Sequence, residues 1–350
     1  MEIIKSGTRI DFVRLRYFAY GFSWLMILMG IVSLIVKGPQ FGIDFAGGTL
    51  IQIKAAQSVT IDAIKKGLAE VNLEGTTVQQ IGAASDNGYL IRAETPADTG
   101  KGFSEKLQAD MTATTGQKVE VQRVEMVGPQ VGKDLRTKAL YAMFYTMVIL
   151  AIYISGRFEL KWGAPGVLAL FIFAAVYLFS MFGVSIPVLI FVALAITLLM
   201  FWQLRLKYAM GATVATIHDV AITVGALSLF NFEFSLSVVA ALLTLAGFSL
   251  NDTIVVFDRI RENTKRYPRL PTRDIINRSI NETLSRTILT SFTAWMTVIC
   301  LYFLGGDVTR DFAFSMIVGI FIGTFSSIYV ASPILLMFKD EKPSARAVPA

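Results

Sequence analysis

Cysteine and histidine are nearly missing from this sequence: each occurs once in 350 residues, as Cys300 and His218. One cysteine excludes an intrachain disulfide, and one histidine excludes a multi-histidine metal site within the chain. Charge is also scarce. Charged residues make up 17% of the chain against 54% hydrophobic, and the mean hydropathy is +0.59. Those values exclude an ordinary soluble globular protein. The net charge of +6 does not point to nucleic acid, because the basic residues sit beside apolar runs, where they orient a membrane protein. No metal or cofactor is expected. Arg14 and Arg16 precede a long apolar run, and Gly38-Pro-Gln40 offers no small-x-small cleavage site, so that run reads as a retained anchor.

What is present is a series of apolar runs of membrane-spanning length. The basic residues of 1–16 place that segment in the cytoplasm, and 17–37 is the first span. The second span covers 136–156 and returns to Arg157 and Lys161. The apolar tract 163–203 is too long for one helix, and Gly183-Val-Ser-Ile-Pro187 breaks it into a hairpin of two spans. Residues 207–257 hold two more spans, and 258–285 form a cytoplasmic connector. From Asp258 to Glu282 it carries seven basic against four acidic residues, broken by Pro268 and Pro271. Within it, 272–285 is compatible with a helix lying in the interface. The last two spans fall in 286–338, before a cytoplasmic tail, 339–350. The sum is about eight spans with both termini inside.

Residues 38–135 differ in kind. They are polar and carry twelve acidic against nine basic residues. The pattern predicts strands at 48–54, 76–81, 87–93 and 118–126 and helices at 60–70 and 102–115, with Asn87-Gly88 as a turn. A β-α-β-β-α-β order suggests a small ferredoxin-like α+β domain outside the membrane. It opens on Phe41-Gly-Ile-Asp-Phe-Ala-Gly-Gly-Thr49, in which Gly42, Gly47 and Gly48 permit tight backbone and Asp44 is the lone charge. A turn fixing how the domain leaves the membrane explains these residues; binding of a partner chain by Asp44 is the alternative.

Two aspartates fall inside spans. Asp252, beside Asn251, lies in the run 234–257, where an acidic residue costs about 2.5–3.5 kcal/mol on insertion scales. Asp219 follows His218 and shares a helix face with Gly211 and Ala215. Arg286, Thr290, Thr293 and Thr297 form a polar stripe on the following span, facing other helices or a hydrated path. Arg286 taken alone is also compatible with a positive-inside anchor. Ser315, Gly319, Gly323 and Ser327 recur at every fourth position of the last span, a close-packing stripe. Low dielectric favours a neutral carboxyl and a neighbouring arginine favours the carboxylate, so an aspartate moved between the two can load and release a proton. In this reading Asp252 is the carrier and Arg286 its gate. Asn251, Ser249, Thr290 and Thr293 support it, and Asp219 is either a relay or a satisfied interhelical group.

Four segments carry a family resemblance. They are Phe41–Thr49, Val127-Gly-Pro-Gln-Val-Gly132, Ala246–Val256 running into Asp258-Arg-Ile-Arg-Glu-Asn263, and Leu284-Ser-Arg-Thr-Ile-Leu-Thr-Ser291. With them the chain resembles the SecF family, membrane subunits of the bacterial SecD–SecF export complex, within an RND-like helical architecture. The resemblance implies a polytopic α-helical protein of the inner membrane, without enzymatic activity. It would use the proton gradient to help draw preproteins through the SecY–SecE–SecG channel beside a SecD-like partner, surrounded by lipid. It also implies that Asp252 and Arg286 take part in proton passage. The chain departs from the family's six-span core through the hairpin 163–203. Rival readings are an RND-like exporter of lipids or small molecules, a non-coupling structural subunit, and an intramembrane aspartyl protease. The protease motifs are missing: the pairs here are His218-Asp219 and Asn251-Asp252.

Overall fold

The computed structural model describes residues 10–70, 76–81, 87–93, 102–159 and 162–338. The basic residues Lys5, Arg9 and Lys161 and the tail 339–350 lie outside the described residues. Helix α1 (Phe12–Lys37) begins where Asp11 caps it, accepting from the Arg14 backbone N–H at 3.0 Å. It ends at Gly38, whose φ of 73° stops the helix. A single turn, α2 (Ile43–Ala46), then leads into the polar domain.

That domain runs β1 (Gly48–Ala55), α3 (Ile61–Glu70), β2 (Thr77–Ile81), β3 (Gly88–Ala93), α4 (Phe103–Thr115) and β4 (Val119–Val127). The sheet order is β2-β3-β1-β4 with each neighbouring pair antiparallel, the interleaving of two split β-α-β units. Alternation along the strands decides which face is covered. Ile51, Ile53, Tyr89, Ile91 and Val119 meet Ile64 and Leu68 of α3 and Leu107 and Met111 of α4. Residues between them, such as Arg92, therefore point to the helix-free face. The Tyr89 hydroxyl closes the edge of this core by donating to the Val59 carbonyl at 2.8 Å and accepting its N–H at 2.9 Å.

The membrane bundle follows as α5 (Pro129–Glu159), α6 (Gly163–Met181), α7 (Ile186–Gln203), α8 (Lys207–Leu229), α9 (Leu236–Arg266), α10 (Thr272–Leu304) and α11 (Asp307–Ser326). A π-helical segment, Ser327–Ala331, continues the last helix. Among the described residues, seven helices are long and apolar enough to cross a membrane. The eighth expected span, α6, has an apolar stretch of Pro165–Met181. The whole helix, Gly163–Met181, has 19 residues, about 29 Å at 1.5 Å per residue, against 18 for α7. With α7 it packs on α5 through Phe144, Val148, Ala169, Ile172, Val176 and Ala193.

Helix α8 is the bundle's centre, and small residues let its neighbours close on it. A Cβ on Gly225 would lie 2.7 Å from the Gly30 Cα of α1, so only two glycines permit this crossing. The Ser33 and Ser228 hydroxyls, 2.9 Å apart, hydrogen-bond beside it. The stripe expected on the last span faces α9: a Cβ on Gly319 would strike Leu245, and one on Gly323 would strike Ser249.

The connector differs from expectation in one respect. No break separates 272–285 from the span: α10 is a single helix from Thr272 to Leu304, because that run contains neither Gly nor Pro. Helix α9 likewise continues to Arg266. Their ends form a helical hairpin held where Asn263 donates to Ser279 (3.0 Å) and Glu282 (2.9 Å).

Candidate functional site

Asp252 is 3% exposed and lies on the face of α9 turned toward α10 and α11. Ser291 donates to its Oδ2 at 2.9 Å, and Thr324 of α11 donates to Ser291 at 2.7 Å. Thr290 Oγ1 approaches Oδ1 at 3.4 Å. The single proton of Thr290 is contested by the carbonyls of Arg286 and Thr287, each at 3.0 Å, so Ser291 is the main donor. Thr287, one turn before Ser291, is buried with its hydroxyl unpaired. Arg286 is exposed and attracts Asp252 through space, but no ion pair joins the two in this conformation.

Asp219 forms a second cluster, 1% exposed. Its Oδ2 accepts from Ser249 at 2.5 Å and from Ser326 at 2.8 Å; its Oδ1 is 2.9 Å from His218 Nδ1. The other ring nitrogen of His218 is 2.9 Å from Ser23 Oγ. Helices α8, α9 and α11 therefore meet at one carboxylate, with α1 joined through His218, and its hydrogen-bonding capacity is well used, as burial requires. The clusters share no hydrogen bond but lie side by side along α9 and α11, where Ser249 stands three residues before Asp252 and Ser326 two after Thr324.

Several expected members of the site fall elsewhere. Ser249 serves Asp219, not Asp252. Asn251 is exposed, because one residue along a helix turns the side chain about 100° from the buried face of Asp252. Thr293 is exposed and donates to the Thr290 carbonyl at 2.9 Å, out of reach of Asp252. The stripe of Arg286, Thr290, Thr293 and Thr297 is the outer face of α10; the inner polar face is Ser279, Thr283, Thr287 and Ser291. That second stripe, at every fourth residue, was the sequence signal for Ser291. Nothing comparable marks Ser23, Thr324 or Ser326, which join the two clusters only through helix crossings, Ser326 on Asp219, Ser23 on His218 and Thr324 on Ser291.

The motif at the start of the polar domain is fastened within the chain. Asp44 Oδ2 accepts the Leu236 N–H, the first of α9, at 2.9 Å. Gly42 N–H donates to the Phe234 carbonyl at 2.9 Å, and Phe234 N–H to that of Gln40 at 2.8 Å. Gly47 (φ 79°) and Gly48 (φ 122°) make the turn into β1. A Cβ on Gly47 would come within 2.8 Å of the Pro129 Cα of α5. One carboxylate oxygen of Asp44 is thus taken by α9.

Comparison with known proteins places this geometry. The chain matches the family model described as protein export membrane protein SecD/SecF, C-terminal, over residues 107–196 and 184–341. It matches the SecD/SecF GG motif over residues 32–59. The first match falls into two overlapping segments that meet within α7 of the hairpin. Protein translocase subunit SecF of Desulfurispirillum indicum is 38% identical, with 94% of this chain and 92% of that protein covered. The Escherichia coli O157:H7 protein of the same name is 33% identical over 96% and 90%. The crystal structure of SecDF, a translocon-associated membrane protein from Thermus thermophilus, superposes with a TM-score of 0.67 at 30% identity. It covers 95% of this chain, which spans only 39% of that one.

Proposed function

The chain belongs to the SecD/SecF family of protein-export membrane proteins, and from that premise we propose that it is an auxiliary subunit of Sec-dependent export that couples the proton gradient to preprotein movement. It is a multi-pass protein of the bacterial inner membrane. The basic hairpin of α9 and α10 favours a cytoplasmic position for that end, which leaves the α+β domain in the periplasm.

The observation that carries the coupling is the setting of Asp252. A carboxyl group at membrane depth is held by hydroxyls of α10, backed by Thr324 of α11 through Ser291, with an arginine about one helical turn before those donors and out of contact. An ionised Asp252 gains from an approach of Arg286; a protonated one loses that attraction and rests on hydroxyls alone. Proton binding therefore biases two arrangements of α9 against α10. Asp219, ringed by donors from three other residues, is the fixed neighbour that holds α1, α8, α9 and α11 in register. No hydrogen bond joins the two aspartates, which supports a transport subunit over a paired-carboxylate enzyme.

A SecD-like partner fits the outer surface of α9 and α10. Thr244, Asn251, Arg286, Thr290, Thr293 and Thr297 are exposed there at membrane depth, where lipid offers no hydrogen bonds. The threonines already donate to carbonyls of their own helices, so the side chains a second helical bundle would meet are chiefly Arg286 and Asn251. The SecY–SecE–SecG channel and the preprotein complete the assembly in this reading.

The test is export in cells lacking the native subunit, complemented at matched membrane levels. Asp252→Asn and Arg286→Met are expected to assemble with the partner and lose gradient-dependent export. Export equal to wild type in both would overturn the coupling role.

A further inference from the structure

The helix that carries Asp252 is also the helix to which the α+β domain is fastened. Three contacts make this junction. Asp44 caps the α9 N-terminus at 2.9 Å. Residues Gln40–Gly42 and Phe234 exchange backbone hydrogen bonds, so the turn before α9 and the strand-like exit from α1 form one short ladder. Arg92, on the helix-free face of the sheet, forms an ion pair with Glu233, three residues before α9. The pair is partly buried, with Arg92 side-chain exposure at 32% and Glu233 at 19%. Asp311, near the start of α11, adds attraction to the same guanidinium.

The placement is mechanically specific. From Leu236 to Asp252 is one unbroken stretch of α9, about 24 Å at 1.5 Å per residue. A helix transmits displacement along its length because its backbone hydrogen bonds leave no soft joint short of a Pro or a bulge. The lever's outer end meets the domain at separate points: Asp44 holds the domain's root ahead of β1, and Arg92 holds β3, the strand beside β1. One contact alone would leave a pivot; two separated contacts fix an orientation.

We propose that Arg92, Glu233 and Asp44 are positioning residues that pass movement of α9 to the α+β domain, so that proton transfer at Asp252 reorients the domain. This rests on the proton-coupled reading above. Arg92 touches no site aspartate and acts only through α9.

The experiment uses the full complex in sealed inverted membrane vesicles, with two readouts: gradient-dependent preprotein export and proton uptake followed by a pH-sensitive dye. The variants are Arg92→Gln, Glu233→Gln and the conservative Arg92→Lys, each checked for membrane level and co-purification with the partner subunit. The two Gln variants are expected to lose about tenfold in gradient-dependent export, equivalent to about 1.4 kcal/mol. Their proton uptake stays at wild-type level, and Arg92→Lys restores most of the export. Gln variants that export like wild type, or that lose proton uptake in proportion to export, overturn the proposal while leaving the coupling reading intact. A wild-type complex without gradient-dependent export overturns the coupling reading, and this inference with it.

Discussion

Asp44→Ala tests the junction without reference to export. The substitution removes the acceptor at 2.9 Å from the Leu236 N–H and the negative charge beside the first turn of α9. Losing a capping acceptor costs about 0.5–2 kcal/mol. Losing a negative charge at a helix N-terminus costs a further ~0.3–1 kcal/mol. Ser235 remains as a second cap, but it accepts from Val238 N–H at 3.4 Å, too long to compensate. The bond lies at an exposed position, so the lower part of the combined range applies, about 1–2 kcal/mol. That corresponds to roughly 5- to 30-fold in the opening equilibrium of the first turn. Hydrogen exchange of the amides of Leu236–Val239, measured by mass spectrometry on the complex in nanodiscs, reads this directly. Asp44→Ala should exchange about tenfold faster there and unchanged in the middle of α9. Asp44→Asn, which keeps an acceptor oxygen and loses only the charge, should change exchange by about threefold. Unchanged exchange in Asp44→Ala would refute the cap, and equal effects of Ala and Asn would show that charge alone matters.

Further outcomes follow from the same geometry. Ser291→Ala deletes the main donor to Asp252, a bond worth about 1.5–3 kcal/mol when the acceptor is charged, and should cut gradient-dependent export tenfold or more. Thr293→Val, on the outer face, should stay within about twofold of wild type; the reverse order would restore the stripe read from sequence. Gly225→Val forces apart α1 and α8 at a 2.7 Å approach. It should lower the melting temperature of the purified protein, since overpacking costs about 1–3 kcal/mol; an unchanged melting temperature would show that the crossing is loose. At Asp11, burial opposes the charge, but hydrogen bonds from Asn277 and the Arg14 backbone and the charge of Arg273 outweigh it. The group therefore titrates below its ordinary value of 3.8. A depressed carboxyl stabilises the fold above that ordinary value and loses the contribution as pH falls through the folded one. Melting of Asp11→Asn and wild type should therefore differ at neutral pH and converge in acid, and a constant difference would remove Asp11 from the linkage.

The spans and the domain's strand and helix order were legible in the chain, since period, length and punctuation are local properties. So were the two membrane aspartates, because a charge inside an apolar run is visible without any contact. The site around them was only half legible. Sequence places Thr290 and Ser291 next to each other on two polar stripes, and which stripe faces Asp252 depends on the rotation of α10. The continuity of α10 through 272–285 was readable from the lack of Gly and Pro; the charge of the segment obscured it.

Local sequence by itself determined the membrane class, the split of the chain into a helical bundle and a small α+β domain, and the identity of the chemically expensive residues. Tertiary structure alone decided the pairings: Ser23, Ser249 and Ser326 at the Asp219 cluster, Ser291 on Asp252 with Thr324 behind it, and Asp44 on a helix that begins 192 positions later. The reason is physical. Hydrophobic period and helix length follow from neighbours within a few turns, whereas a hydrogen bond between helices depends on crossing angle and rotation. Those are set by where small residues such as Gly30, Gly225, Gly319 and Gly323 let backbones approach.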